Sequence, residues 1–131
     1  MSYYLSKTLQ TPFDEAVERV TEELKKEGFG VLTEIDMQGT MKKKLDVDIQ
    51  KYKILGACNP PLAYQAIQAE DKIGLMLPCN VILQEVAGGG VEVAAIDPVA
   101  SMQAVDNPQL AKVGEQVREK LKRVIESLSD G

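Results

Sequence analysis

Apolar and polar residues alternate from Tyr3 to Leu9, with Tyr3, Leu5, Lys7 and Leu9 on one side, and this predicts a short strand. The pattern then changes period. In "TPFDEAVERVTEELKKEG" the positions Phe13, Ala16, Val17, Val20 and Leu24 recur at helical spacing and leave one apolar stripe opposite charges. Thr11 is placed at the N-cap and Pro12 at the first helical position, with Asp14 and Glu15 in the first turn and Lys25 and Lys26 in the last. Gly28 falls where a left-handed cap ends the helix. Alternation returns in "FGVLTEID", where Phe29, Val31, Thr33 and Ile35 form the face expected to be buried.

Met37, Met41 and Leu45 then predict a short helix, weakened by Gly39. "KYKILGAC" reads as a strand, and "NPPLAYQAIQAED" as a helix begun by Asn59 with prolines in its first turn. "LPCNVILQEVAGGGVEVAAID" reads as a hairpin. A two-residue loop at Gly88 and Gly89 would set Glu85 opposite Glu92, so a three-residue loop, Gly88 to Gly90, is preferred, pairing Glu85 with Val93 and Leu83 with Ala95. Pro108 opens a last helix whose stripe of Leu110, Val113, Val117, Leu121, Val124, Ile125 and Leu128 is the strongest periodicity in the chain. Strands and helices therefore mix without the regular alternation of a doubly wound sheet, and the hairpin makes part of the sheet antiparallel. The predicted class is α+β, with residues 1–128 as one domain and a disordered tail at 129–131.

Composition narrows the function classes. With 131 residues, 44% hydrophobic and 27% charged, the chain can build one core. A net charge of −5 argues against nucleic acid or an anionic membrane as partner. No apolar run reaches the roughly 20 residues of a membrane span, and "MSYYLSKTLQ" lacks the pattern of a signal peptide, so the expected location is the cytoplasm. The chain has no histidine, which removes Ser-His-Asp and Cys-His catalysis and His-ligated metals.

Two stretches hold the candidate chemistry: "LGACNPPLAY" and "MLPCNVILQE" carry the only two cysteines, Cys58 and Cys79, each followed by asparagine. Cys58 precedes a predicted helix N-terminus, where N–H groups and the dipole favour a thiolate; against this, it shares a strand face with Tyr52, Ile54 and Gly56 as a small buried residue would. Cys79 belongs to the face of Val81 and Leu83. A dithiol requires the two Cα atoms within about 7 Å, and zinc requires more ligands than two cysteines supply. Asn59 reads as an N-cap and Asn80 as a backbone partner at a strand start. Asp36 and Asp97 each end a strand; on a shared rim they would form an acid-base pair, and otherwise they start turns. The lysines of "MKKKL" read as a solvated face, and "GGG" as a turn rather than a phosphate loop.

With "GFGVLTEID", "KYKILGACNPPLAYQAI", "GLMLPCNVILQE" and "VEVAAIDPVASM" in view, the chain resembles the bacterial and archaeal family known as domain of unknown function 302 through nearly its whole length. The resemblance implies a curved, mainly antiparallel sheet like a single repeat of TATA-binding protein, with two main helices on one face plus two short ones, homodimers and no DNA binding. It carries over Cys58, Asn59, Pro60, Leu77, Pro78, Cys79, Asn80, Asp97 and Pro98 as a site region and assigns no activity.

The reading is thus a non-catalytic module that forms a homodimer and binds a small ligand or protein partner through Cys58, Asn59, Cys79, Asn80 and Asp97, with no cofactor and no metal. The rival is a thiol redox or metal-handling protein using Cys58 and Cys79. An acid-base enzyme using Asp36 and Asp97 ranks third.

Overall fold

The alternating segments become five strands: β1 (Tyr4–Leu9), β2 (Gly30–Asp36), β3 (Tyr52–Cys58), β4 (Cys79–Val86) and β5 (Gly90–Ile96). They form one antiparallel sheet in the order β1-β5-β4-β3-β2 in a computed structural model that describes residues 2–130. The helices are α1 (Phe13–Lys26), α2 (Met37–Leu45), α3 (Pro60–Ala69), α4 (Pro98–Ser101) and α5 (Pro108–Ser127), with a 3-10 helix at Asp71–Met76. The α+β class read from the sequence is the class observed.

Register explains why only one face of the sheet is covered. Leu5, Ala95, Val81 and Leu55 lie in one row across four strands, flanked by Val93 and Leu83, and all of these point to α1 and α5. The stripes of the two helices close over them: Ala16, Val20 and Leu24 of α1 and Leu121 of α5 are fully buried, as are Val81, Leu83 and Val93 beneath. Each large side chain removed from water in this way contributes about 1.5–3 kcal/mol. The opposite face carries Tyr4, Ile54, Ile82, Ala94 and Ile96, and neither α1 nor α5 packs on it.

Both ends of α1 show how the chain turns. Gly28 has φ +87°, its N–H donates to the Lys25 carbonyl, and the Phe29 N–H donates to the Leu24 carbonyl. Those two bonds are the Schellman pattern, and the contact it brings between buried Leu24 and Phe29 aims the chain into β2. The start of the helix corrects the sequence reading. Pro12, not Thr11, is the cap: its ψ of 148° is extended and its carbonyl accepts from Ala16 N–H. The Thr11 hydroxyl is engaged elsewhere, donating to the Asp130 carboxylate at 2.9 Å, and the Gln10 and Thr11 N–H groups donate to the same oxygen. The Thr11 hydroxyl first, then these N–H groups and Arg19, hold the Asp130 carboxyl below its usual range. Arg19 also donates to the Ser129 carbonyl. Residues 129 and 130 of the segment expected to be a disordered tail therefore have defined partners, and Gly131 lies outside the described residues.

Three further expectations change. In β2, Val31 pairs with Ala57 and Thr33 with Gly56, so Leu32 is a bulge that exchanges the faces of everything after it. Thr33 and Ile35 go to the uncovered face instead of joining Val31 in the core, and β2 is an exposed edge strand rather than one with a buried side. The hairpin loop has three residues, as expected, but they are Ala87, Gly88 and Gly89: Val86 pairs with Gly90, Glu85 with Val91 and Leu83 with Val93. Gly88 and Gly89 have φ near +95°, while Gly90 pairs with Val86 as the first residue of β5, where a Cβ would lie 2.8 Å from Thr8 on β1. Tyr3 precedes β1 and stacks edge-on with Tyr4 at 5.1 Å instead of continuing the Leu5 face. The 3-10 helix and α4 have no counterpart in the predicted elements.

Candidate functional site

Antiparallel pairing brings the end of β3, the start of β4 and the end of β5 to one end of the sheet. Cys58, Asn59, Cys79, Asn80 and Asp97 all arrive there. Asp36 does not: it ends β2, pairs with Lys53 at the opposite end, and caps α2 by accepting the Gly39 N–H. The acid-base pair with Asp97 is therefore corrected, since the two carboxylates share no rim.

The five residues then separate. Cys58, Asn59 and Cys79 line a cavity of about 290 Å³ between α3, α5 and the ends of β3 and β4. Its walls are apolar: Phe29, Leu62, Ala66 and Met102 are buried, and Val113 and Val117 come from the α5 stripe. Leu32, at the β2 bulge, and Ile67 also line it yet are 67% and 48% exposed, so they mark its mouth. Asn80 is on the uncovered face, beside Ile82 and the tyrosines. Asp97, 7% exposed, caps α4 by accepting the Val99 and Ala100 N–H groups, and its second oxygen meets Arg118 Nε at 3.0 Å. Arg118 had no signal in the sequence, because it lies beside the α5 stripe like any solvated residue.

The cysteines are free thiols. Cys79 pairs in register with Ala57, the residue before Cys58, and both thiols line the same cavity. Burial first, and the neighbouring Cys58 second, push the Cys79 thiol up to about 11. The helix that was to activate Cys58 offers it little. Pro60 and Pro61 have no N–H, the Leu62 N–H is taken by Asn59 Oδ1, and the Ala63 N–H bonds to the Asn59 carbonyl. No group of three or more Cys, Asp or Glu side chains placed to hold a metal occurs among the described residues. This geometry gives no support to a redox or metal role.

Asn59 is the structural hinge of the site. Besides capping α3 it donates from Nδ2 to the Glu27 carbonyl at 3.2 Å, tying the end of α1 to the start of α3. Gly28 leaves room for that amide, since a Cβ there would lie 3.0 Å from Nδ2. Replacing Asn59 with alanine removes a cap and a buried bond and is expected to lower stability by about 1–2 kcal/mol. Asn59→Asp keeps the cap but loses the donor, and should lie between the two in urea denaturation. An unchanged midpoint for both variants would contradict this assignment.

A family model described as Domain of unknown function DUF302 matches residues 5–128. Among solved structures, the chain is similar to one described as "Crystal structure of uncharacterized conserved protein DUF302 from Bacillus stearothermophilus", with 24% identity and a TM-score of 0.89. The match covers 96% of this chain and 98% of that one, and at this identity it speaks for the fold. No curated protein matches the chain.

Proposed function

The chain belongs to the DUF302 family, and from that starting point we propose that it is a non-catalytic module binding a small apolar ligand in the cavity beside Cys58 and Cys79. The observation that carries the reading is the cavity itself. It has about 290 Å³ of space behind an open mouth, and its polar lining group Asn59 is already committed to Leu62 N–H and the Glu27 carbonyl. An engineered cavity of about 150 Å³ holds one benzene, so this one suits a body of roughly two fused rings. The buried Cys79 thiol contributes here as soft apolar wall rather than as a nucleophile, beside the half-buried Cys58.

The same reading places the protein in the cytoplasm as a homodimer. Support for pairing comes from the end of β2 and the segment that follows it: α2 buries none of its residues, and Ile35, Leu45, Val47 and Ile49 are exposed. The likeness to a TATA-binding-protein repeat belongs to this proposal as well.

Indole and naphthalene are suitable probes. Ligand-observed NMR is expected to show saturable binding of at least one, weakened about tenfold or more by Ala63→Trp, which fills the cavity from a half-buried α3 position. Binding unaltered by that variant, or absent for both probes, would remove the proposal. Sedimentation at micromolar concentration decides the dimer separately.

A further inference from the structure

The uncovered face of the sheet has a charge pattern that its apolar character alone does not explain. Strand alternation and register assign to it Tyr4, Ser6 and Thr8 of β1, Glu92, Ala94 and Ile96 of β5, Asn80, Ile82 and Gln84 of β4, and Tyr52 and Ile54 of β3. Glu92 is the one charged side chain in that set. The lysines nearest in sequence are held elsewhere: Lys53 pairs with Glu34 at 2.7 Å, and Lys51 lies 5.7 Å over the Phe13 ring. A half-buried carboxylate on a face without a cation of its own is an acceptor awaiting a donor.

The face is also hollowed. A groove of about 320 Å³ runs across it, with Tyr52 toward one end and the Tyr3–Tyr4 pair toward the other. Ala94, 9% exposed, sits in the middle row opposite Ile82, and its small side chain leaves the depth. Tyr52, Gln84 and Glu92 occupy one row across three strands. Gln84 Nε2 donates to Glu92 Oε1 at 3.2 Å, which fixes the carboxylate and leaves Oε2 without a hydrogen-bond partner among the described residues.

We propose that this groove is a second binding site, on the side of the sheet away from the cysteine cavity, for a small organic cation: an ammonium group joined to an aromatic or alkyl body. The ammonium pairs with Glu92 beside the face of Tyr52, where the ring quadrupole and the carboxylate attract it together. The apolar body lies over Ile82 and Ala94 toward Tyr3 and Tyr4. An anion is disfavoured by the same carboxylate, and a neutral ligand forfeits the charge term.

Three probes with one body and three charges test this: phenethylammonium, 2-phenylethanol and phenylacetate, titrated calorimetrically and by tyrosine ring NMR at low salt. The cation is expected to bind about fivefold tighter than the alcohol, with phenylacetate weakest, and to shift the Tyr52 ring resonances. Glu92→Gln keeps an acceptor for Gln84 and should erase the preference for the cation, while Tyr52→Leu should weaken the cation about threefold. Circular dichroism confirms that each variant is folded. Equal binding of cation and alcohol, a cation preference that survives Glu92→Gln, or no saturation by phenethylammonium at roughly 10 mM would overturn the proposal. So would a dimer, detected by sedimentation, whose formation abolishes access of the probe to Tyr52.

Discussion

Replacing Gly56 with alanine is expected to destabilise the protein by about 3 kcal/mol, even though the same change in an ordinary strand interior stabilises by about 0.5–1 kcal/mol. Gly56 is buried in the middle of β3, on the uncovered side, next to the β2 bulge. A Cβ there would overlap the Thr33 hydroxyl and lie 2.7 Å from Pro78 Cγ. Neither neighbour yields easily, since threonine is stiff at χ1 and proline is a ring. The methyl group therefore pushes on the bulge from one side and on the segment that delivers Cys79 to its cavity from the other. Thr33→Ala should recover roughly 1 kcal/mol in the Gly56→Ala background by relieving one of the two overlaps, while costing little alone because Thr33 is exposed. Urea denaturation of the four proteins measures both quantities. A Gly56→Ala variant within about 0.5 kcal/mol of the parent would show that the space above Gly56 is not closed as described.

Gly56 also illustrates what a single sequence reveals and what it conceals. "KYKILGAC" alternates, and its strand was legible, as were the two long helices, because periods of 2.0 and 3.6 are properties of consecutive residues. The cap at Asn59, the opening of the last helix at Pro108 and the Gly28 turn were legible for the same local reason. What failed was set by distant segments. Thr11 has the chemistry of a cap, but its hydroxyl is claimed by Asp130, 119 residues away. Leu32 becomes a bulge because β2 pairs with β3, and nothing within "FGVLTEID" marks it. At the site, the antiparallel order brings Cys58, Asn59, Cys79, Asn80 and Asp97 to one end of the sheet, since the strand ends that carry them must meet. The sequence could not divide them: Cys79 beneath the helices, Asn80 on the uncovered face and Asp97 bound to Arg118 follow only from register and from α5. For Cys58 the sequence holds a local clue. The two prolines after Asn59 remove the N–H groups that a Cys58 thiolate needs, and they are visible in the sequence itself.

The stability of the folded chain should fall by about 2 kcal/mol between pH 9 and pH 11 through Cys79 alone. Its thiol goes from an ordinary value of 9.0 up to about 11 on folding, chiefly because burial disfavours the thiolate and secondarily because Cys58 adds like charge. Below pH 9 both folded and unfolded chains hold the proton, and the stabilisation associated with it is fully present. Between pH 9 and 11 the unfolded chain releases the proton while the folded chain retains it, so each pH unit favours unfolding by about 1.4 kcal/mol. Lysines and tyrosines titrate in the same range, and the share of Cys79 is therefore the difference between the parent and Cys79→Val. The variant keeps an apolar side chain of similar bulk and removes the ionisation. Its stability should decline less steeply above pH 9, whereas Cys58→Ser should keep most of the parent's slope because burial is the larger cause. Native alkylation offers a second measure: at pH 8 a thiol titrating at about 11 is roughly 0.1% thiolate, so Cys79 should react about 100-fold or more slowly than a cysteine in a short peptide. Parallel stability curves for the parent and Cys79→Val from pH 8 to 11, or rapid alkylation of Cys79 in the folded protein, would show that this thiol is not buried wall but an accessible group, and would reopen the question of its chemistry.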